Sequence, residues 1–271
     1  MNALILVIIA LFGLTIGSFL NVLILRKSVK KSLFGRSSCR GCKKHLSPIE
    51  LIPVISFLIQ KGRCRTCGIA LSWQYPIVEF TTAALFIIVF VLFLPQFAFD
   101  ARSLGIFTLL GIGVSAAVVA FVYDLRYTII PDYTVIILFL LGIVATAVRS
   151  DIIITPIAFQ NSFIIDWIAA LLISGFFTSL WFFSRGTWMG LGDAKLILAT
   201  SLILGFPASL IAFIFAFWLG AAVSIALMVF AKAGVKSLIP FGPFIIIASI
   251  IAYFLTPFIT CIDYPIMCLL I

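Results

Sequence analysis

The sequence predicts an all-α polytopic membrane protein, with about eight transmembrane helices and a small zinc-binding loop domain, and three observations lead there. Hydrophobic residues make up 64% of the 271 and charged residues only 10%, against roughly 45–50% and about 25% in soluble domains. No water-soluble surface can be built from that. Apolar runs recur at the length of about 20 residues that crosses a bilayer. The basic residues are concentrated, eleven of the eighteen lying between Arg26 and Arg65.

The apolar runs place spans at residues 3–25, 76–94, 104–123, 133–148, 164–183, 191–204, 209–230 and 243–258. The chain then divides into a first transmembrane helix, 1–25, a polar loop domain, 26–74, and a transmembrane body, 75–271. The first span has no basic residue before it and Arg26, Lys27, Lys30 and Lys31 directly after it. Its amino terminus is therefore expected outside and the loop in the cytoplasm. A cleavable signal peptide would carry its charge first. Alternating from there, the cytoplasmic side collects sixteen Lys and Arg, among them Arg126, Arg185, Lys195, Lys232 and Lys236, and the outside only Arg102 and Arg149. The basic block follows a span directly, so orientation on the lipid bilayer accounts for it and no nucleic-acid partner is expected.

Within the first span, Gly13 and Gly17 have the spacing that lets two helices approach closely, with Asn21 one turn further on. In the loop, Cys39-Arg-Gly-Cys42 and Cys64-Arg-Thr-Cys67 stand twenty-one residues apart. Two such pairs can close a tetrahedral four-thiolate zinc site. The competing reading, two disulfides, is disfavoured in a reducing cytoplasm. Four thiolates leave no open position for water, so the metal would be structural. Ser47-Pro48-Ile49-Glu50 reads as a capping box opening a short helix that Pro53 interrupts. Cys261 and Cys268 lie in a tail expected outside, where a disulfide is chemically allowed.

A charged carboxylate at membrane depth costs about 2.5–3.5 kcal/mol on insertion scales, so each of the nine acids is a functional candidate. Asp100, Asp151 and Asp263 fall in outer segments. Asp132, after Pro131, fits a helix N-cap, and Asp166 an interfacial or capping place at the outer end of the fifth span. Two resist such accounts. Asp124 ends the third span and Asp193 begins the sixth, in Gly190-Leu-Gly192-Asp-Ala-Lys195, both near the cytoplasmic face. A pair of aspartates that meet in a partly dry site can share a proton and split a peptide bond with an activated water. Cation-coupling sites of a transporter, or two separate caps, are the alternatives. Arg126 and Lys195 sit two residues beyond their aspartates, the wrong helical offset for a direct pair, and are expected to reach lipid headgroups.

The ensemble resembles the type IV prepilin peptidase family, prepilin leader peptidase/N-methyltransferases of the GxGD intramembrane aspartic type, over nearly the whole chain. The residues that carry the resemblance are Gly-Ser-Phe-Leu-Asn-Val-Leu-Ile-Leu-Arg at 17–26, the two cysteine pairs, Tyr75-Pro-Ile-Val-Glu79, the segment from Asp124 to Ile-Pro-Asp132, and the Gly-Leu-Gly-Asp-Ala-Lys run ending at Lys195. The resemblance implies that Asp124 and Asp193 are the catalytic pair, that 75–271 is the peptidase domain, and that basic leaders of prepilins or pseudopilins are cut at the cytoplasmic face. It also implies a bacterial inner-membrane location, pilus or type II secretion machinery as partners, and methylation of the new amino terminus from S-adenosylmethionine. Gly62, Arg63 and Glu79 match the family pattern for methyl transfer. For Glu79 the alternative is a first-turn carboxylate favoured by the helix dipole.

Overall fold

Helix is the regular structure of this chain in the computed structural model, which describes residues 3–27, 35–94, 100–152, 162–230 and 239–263. In hydrocarbon each backbone N–H and C=O must be satisfied within its own segment or a closed barrel, and an apolar run therefore coils. The described helices are α1 (Ala3–Lys27), α2 (Ile55–Ile59), α3 (Gln74–Phe93), α4 (Ala101–Tyr127), α5 (Asp132–Ile152), α6 (Ser162–Ser184), α7 (Leu191–Leu204), α8 (Ala208–Phe230) and α9 (Gly242–Asp263), with a 3-10 turn at Pro48–Leu51. Every expected span coincides with one of them.

Five of these helices are long and apolar enough to cross a membrane, α1, α3, α4, α6 and α8, while apolar stretches of α5 and α9 are shorter and α7 has only 14 residues. Large side chains such as Phe80, Leu172, Phe183 and Trp218 lie exposed on the helix faces, as a lipid solvent requires. The chain is a multi-pass membrane protein. It forms two compact units, Met1–Val119 and Ala120–Ile271.

In the first unit α1 lies along α3, and the two glycines set the approach. A Cβ on Gly13 would fall 2.6 Å from the Cα of Ala83, and one on Gly17 2.7 Å from the Cα of Glu79. The packing role expected of this pair is what the structure has. One turn beyond, buried Asn21 donates from its amide to the Tyr75 carbonyl at 3.1 Å and accepts from the Gln74 side chain at 3.3 Å. The start of α3 is thus tied to the end of α1. Further along, Ile9, Phe86, Phe90 and Leu94 form an apolar cluster that takes in Phe107 of α4, with the Phe86 and Phe107 rings edge to face at 5.9 Å.

In the second unit α7 is the central element, touching α5, α6, α8 and α9. Its Ala194, Leu196, Ile197, Ala199, Ser201 and Leu202 are buried. Gly142 of α5 lets that helix close in, since a Cβ there would meet Leu202 Cβ at 2.7 Å. From α6, the Ser174 hydroxyl donates to the Ala194 carbonyl at 3.0 Å. At the other end of α7, Asp166, for which the sequence offers an interfacial or a capping place, meets a backbone N–H just before α8. It is buried, and its carboxylate accepts the Phe206 N–H at 2.7 Å in the turn between α7 and α8. Of the two tail cysteines, Cys261 falls in the last turns of α9 and Cys268 lies outside the described residues.

Because the Gly17 position faces backbone rather than a movable side chain, Gly17→Leu is expected to lower stability by about 1–3 kcal/mol, the usual cost of overpacking. Gly105 of α4, which has nothing within 4 Å of a built Cβ, should accept the same change without loss; thermal unfolding of both variants in detergent makes the comparison.

Candidate functional site

The polar loop builds its cysteine site from two turns of the same design. In one, Lys43 donates to the Cys39 carbonyl at 3.1 Å and Cys39 to the Lys44 carbonyl at 2.9 Å; in the other, Gly68 donates to Cys64 at 2.9 Å and Cys64 to Ile69 at 2.9 Å. Each turn reverses on the residue after its second cysteine, Lys43 at φ 61° and Gly68 at φ 69°. All four sulfurs come within 4.8 Å of one another, with Cys39 Sγ and Cys67 Sγ 3.7 Å apart. A tetrahedron of thiolates around zinc at about 2.3 Å has edges of about 3.8 Å, so the donor set fits such an ion. The N–H groups of Cys67 and Thr66, aimed at the Cys64 sulfur, hold its thiol down at about 6. Cys67 has the Ile69 N–H drawing it down, but desolvation and the neighbouring thiols push it up to about 11. One sulfur of the cluster is thereby ready to ionise first.

Beside this cluster the expected capping box is present. The Glu50 carboxylate accepts both the N–H and the hydroxyl of Ser47, each at 2.9 Å, and these two bonds hold its pKa below the usual carboxylate range. Glu50 is structural. After Pro53 the chain enters α2 through Val54, whose φ of 60° is unusual for a branched residue. The Val54 N–H donates to Glu79 at 2.7 Å, and the buried Glu79 carboxylate has no ion-pair partner among the described residues. Gly62 turns at φ 67° against the ring of buried Phe57, 3.2 Å from a built Cβ, and Arg63 is exposed. Of the three residues, Glu79 and Gly62 are thus both anchored to the α2 segment, Glu79 by Val54 and Gly62 by Phe57.

The second unit brings the two aspartates of the sequence motifs together. Asp124 lies one turn inside the end of α4 rather than at it, because that helix runs on to Tyr127, and its side chain is 3% exposed. Its Oδ2 accepts the N–H of Gly242 at 2.9 Å. Asp193 is the third residue of α7, half-buried, its own N–H donating to the Gly190 carbonyl at 3.2 Å, and Asp124 is close enough to repel its carboxylate. Ile130 packs against one glycine of α7 and one of α9. A Cβ on Gly192 would meet Ile130 Cβ at 3.2 Å, and one on Gly242 would meet Ile130 Cδ1 at the same distance. The absent side chains at these two glycines leave the room that Ile130 fills.

Two expectations at this end are corrected. Asp132 does not cap α5; it is the first residue of the helix, and its carboxylate accepts from Lys195 Nζ at 2.9 Å. Lys195 therefore reaches across from α7 to α5 instead of toward lipid headgroups. Helix spacing excluded a partner on its own helix and carried no information on one sixty-three residues earlier. Arg126 lies 5.6 Å from the Tyr127 ring. The residue that sequence reasoning missed is Gly242, which belongs to no motif and meets Asp124 only in the fold.

One unit carries the four-cysteine cluster and the other the two aspartates of the sequence motifs, the features on which the resemblance to intramembrane aspartic proteases rests. The family comparison agrees. Residues 11–93 match the bacterial peptidase A24 N-terminal domain and residues 111–225 the type IV leader peptidase family. A prepilin leader peptidase/N-methyltransferase of Bacillus subtilis is 32% identical over 91% of this chain and 92% of its own length. Proteins of the same description from Vibrio cholerae, 30% identical over 92% and 96%, and Legionella pneumophila, 28% over 91% and 90%, are similar. The chain belongs to the type IV leader peptidase family. The transporter alternative finds no support in these relatives, and no solved structure matches the chain.

Proposed function

We propose that this protein removes the leader peptide of prepilin-like substrates, with Asp124 and Asp193 as the pair that does so. What carries the reading is that Asp124 of α4 and Asp193 of α7 lie close enough to act on each other electrostatically in a chain of this family. Like charges this close favour one shared proton. One aspartate then takes a proton from water as the oxygen attacks the scissile carbonyl, and the other gives its proton to the departing amine. No covalent intermediate forms.

Charge sidedness, sixteen basic residues against two, supports a site at the cytoplasmic face of the inner membrane with the amino terminus outside. In this assignment 1–25 is the first anchor, 26–74 the cytoplasmic cysteine domain and 75–271 the peptidase body. Substrates are prepilins or pseudopilins, which present a basic leader before an apolar helix, and the pilus or type II secretion machinery receives the product. Cys39, Cys42, Cys64 and Cys67 hold a structural zinc ion, which the sulfur spacing suits.

The second half of the relatives' description, N-methyltransferase, we assign to the segment of Gly62, Arg63 and Glu79. S-adenosylmethionine would supply an activated methyl group on a sulfonium cation, and the buried Glu79 carboxylate, which pairs with no cation among the described residues, is the group suited to face it. The Val54 hydrogen bond fixes that carboxylate in place.

Three outcomes are expected. Asp124→Asn and Asp193→Asn each abolish leader removal from a co-expressed prepilin, a loss of more than about 10³-fold by the standard of essential acid–base groups; normal cleavage by either would refute the pair. Glu79→Gln leaves cleavage intact and removes the methyl group from the new amino terminus, read by mass spectrometry of the processed substrate. Elemental analysis of the reduced, purified protein finds one zinc per chain, and Cys39→Ser loses it.

A further inference from the structure

The amino-terminal turn of α9 is built so that a single backbone donor is left to leave the helix. Ordinarily the first N–H groups of a helix lack intrahelical acceptors. Here the Phe241 carbonyl accepts from both Phe244, at 3.0 Å, and Ile245, at 3.2 Å. Pro243 has no N–H at all. That leaves the N–H of Gly242, and it goes to Asp124 Oδ2 at 2.9 Å, across 118 residues of sequence.

The same residue leaves no room for a side chain. A Cβ on Gly242 would stand 2.8 Å from Asp124 Oδ2 and 3.3 Å from its Cγ, with Ile130 Cδ1 at 3.2 Å. Asp124 is buried and its neighbour Ile130 is only 8% exposed, so neither can step aside cheaply. Gly242 also falls beyond residues 111–225, the part of the chain that the leader peptidase family model matches.

We propose that Gly242 is a positioning residue for peptide cleavage: its N–H holds Oδ2 of Asp124, and its missing side chain lets α9 come near enough to do so, which leaves Oδ1 as the oxygen that addresses water and Asp193. The inference rests on the assignment of Asp124 to the cleavage pair. Pro243 supports it by removing the one neighbouring donor that could compete. The contact acts on the orientation of a reacting group and not on substrate binding, so its loss reads in turnover.

The test is Gly242→Ala in the full-length protein in detergent, assayed on a purified prepilin. The expected result is a kcat about 10- to 100-fold lower, the scale on which small misplacements act, with KM within about twofold of the parent. A kcat within about twofold of the parent overturns the proposal, as does an equal rise in KM with kcat unchanged. Should Gly242→Ala fold poorly, a stability cycle with Asp124→Ala decides. If side chains at 242 and 124 compete for one space, the cost of Gly242→Ala shrinks in the Asp124→Ala background; equal cost in both backgrounds overturns the contact. Asp124→Asn assayed alongside separates the two levels: normal cleavage there removes the cleavage assignment, while the stability cycle still reads the contact.

Discussion

An ionised carboxylate out of water must be given a hydrogen-bond donor, and this constraint organises both units. Among the described residues three carboxylates are buried, and each accepts a backbone N–H from a place where a helix is about to begin. Glu79 takes Val54, which caps α2; Asp166 takes Phe206, just before α8; Asp124 takes Gly242, the first residue of α9. Donors at helix starts lack internal partners and carry the positive end of the dipole. Pairing the two deficits satisfies both, and in each case it also pins one element to another that is distant in sequence. The acids that look like isolated costs in the chain are where its helices are fastened.

Close approach is the complementary requirement. Gly13 and Gly17 admit α3, Gly142 admits α7, and Gly192 and Gly242 both admit Ile130. A carboxylate on one helix can be met by an N–H on another only when the intervening side chains are absent. At the paired aspartates this is sharpest, since Gly190, Gly192 and Gly242 surround two carboxyl groups that would otherwise be held apart by ordinary side-chain bulk.

Much of this was legible in the chain because it is local or repetitive. Every span follows from apolar length, the capping box from Ser47 and Glu50, the cysteine cluster from two short spacings, and the α1–α3 contact from a four-residue glycine interval. The aspartate motifs were visible because charge is scarce. What stayed hidden depends on folding distance. Asp132 looked like a cap because its partner, Lys195, belongs to a different helix; Asp166 could be read as interfacial or capping, but nothing near it announces Phe206 as its donor. Gly242 gave no signal, being one glycine among many until Asp124 is placed beside it.

The length of α7 carries a consequence for depth. Fourteen residues at about 1.5 Å each make roughly 21 Å, well short of a hydrocarbon core of about 30 Å. This central helix has Asp193 at its beginning and Asp166, through Phe206, just past its end. Both ends cannot reach the headgroups together, so at least one of these acids sits beneath the level of the surrounding lipid surface. Hydrolysis of a bond at the edge of a membrane helix needs water at just such a level, and a helix about two turns short of the hydrocarbon thickness is one way to bring polar surface down to it.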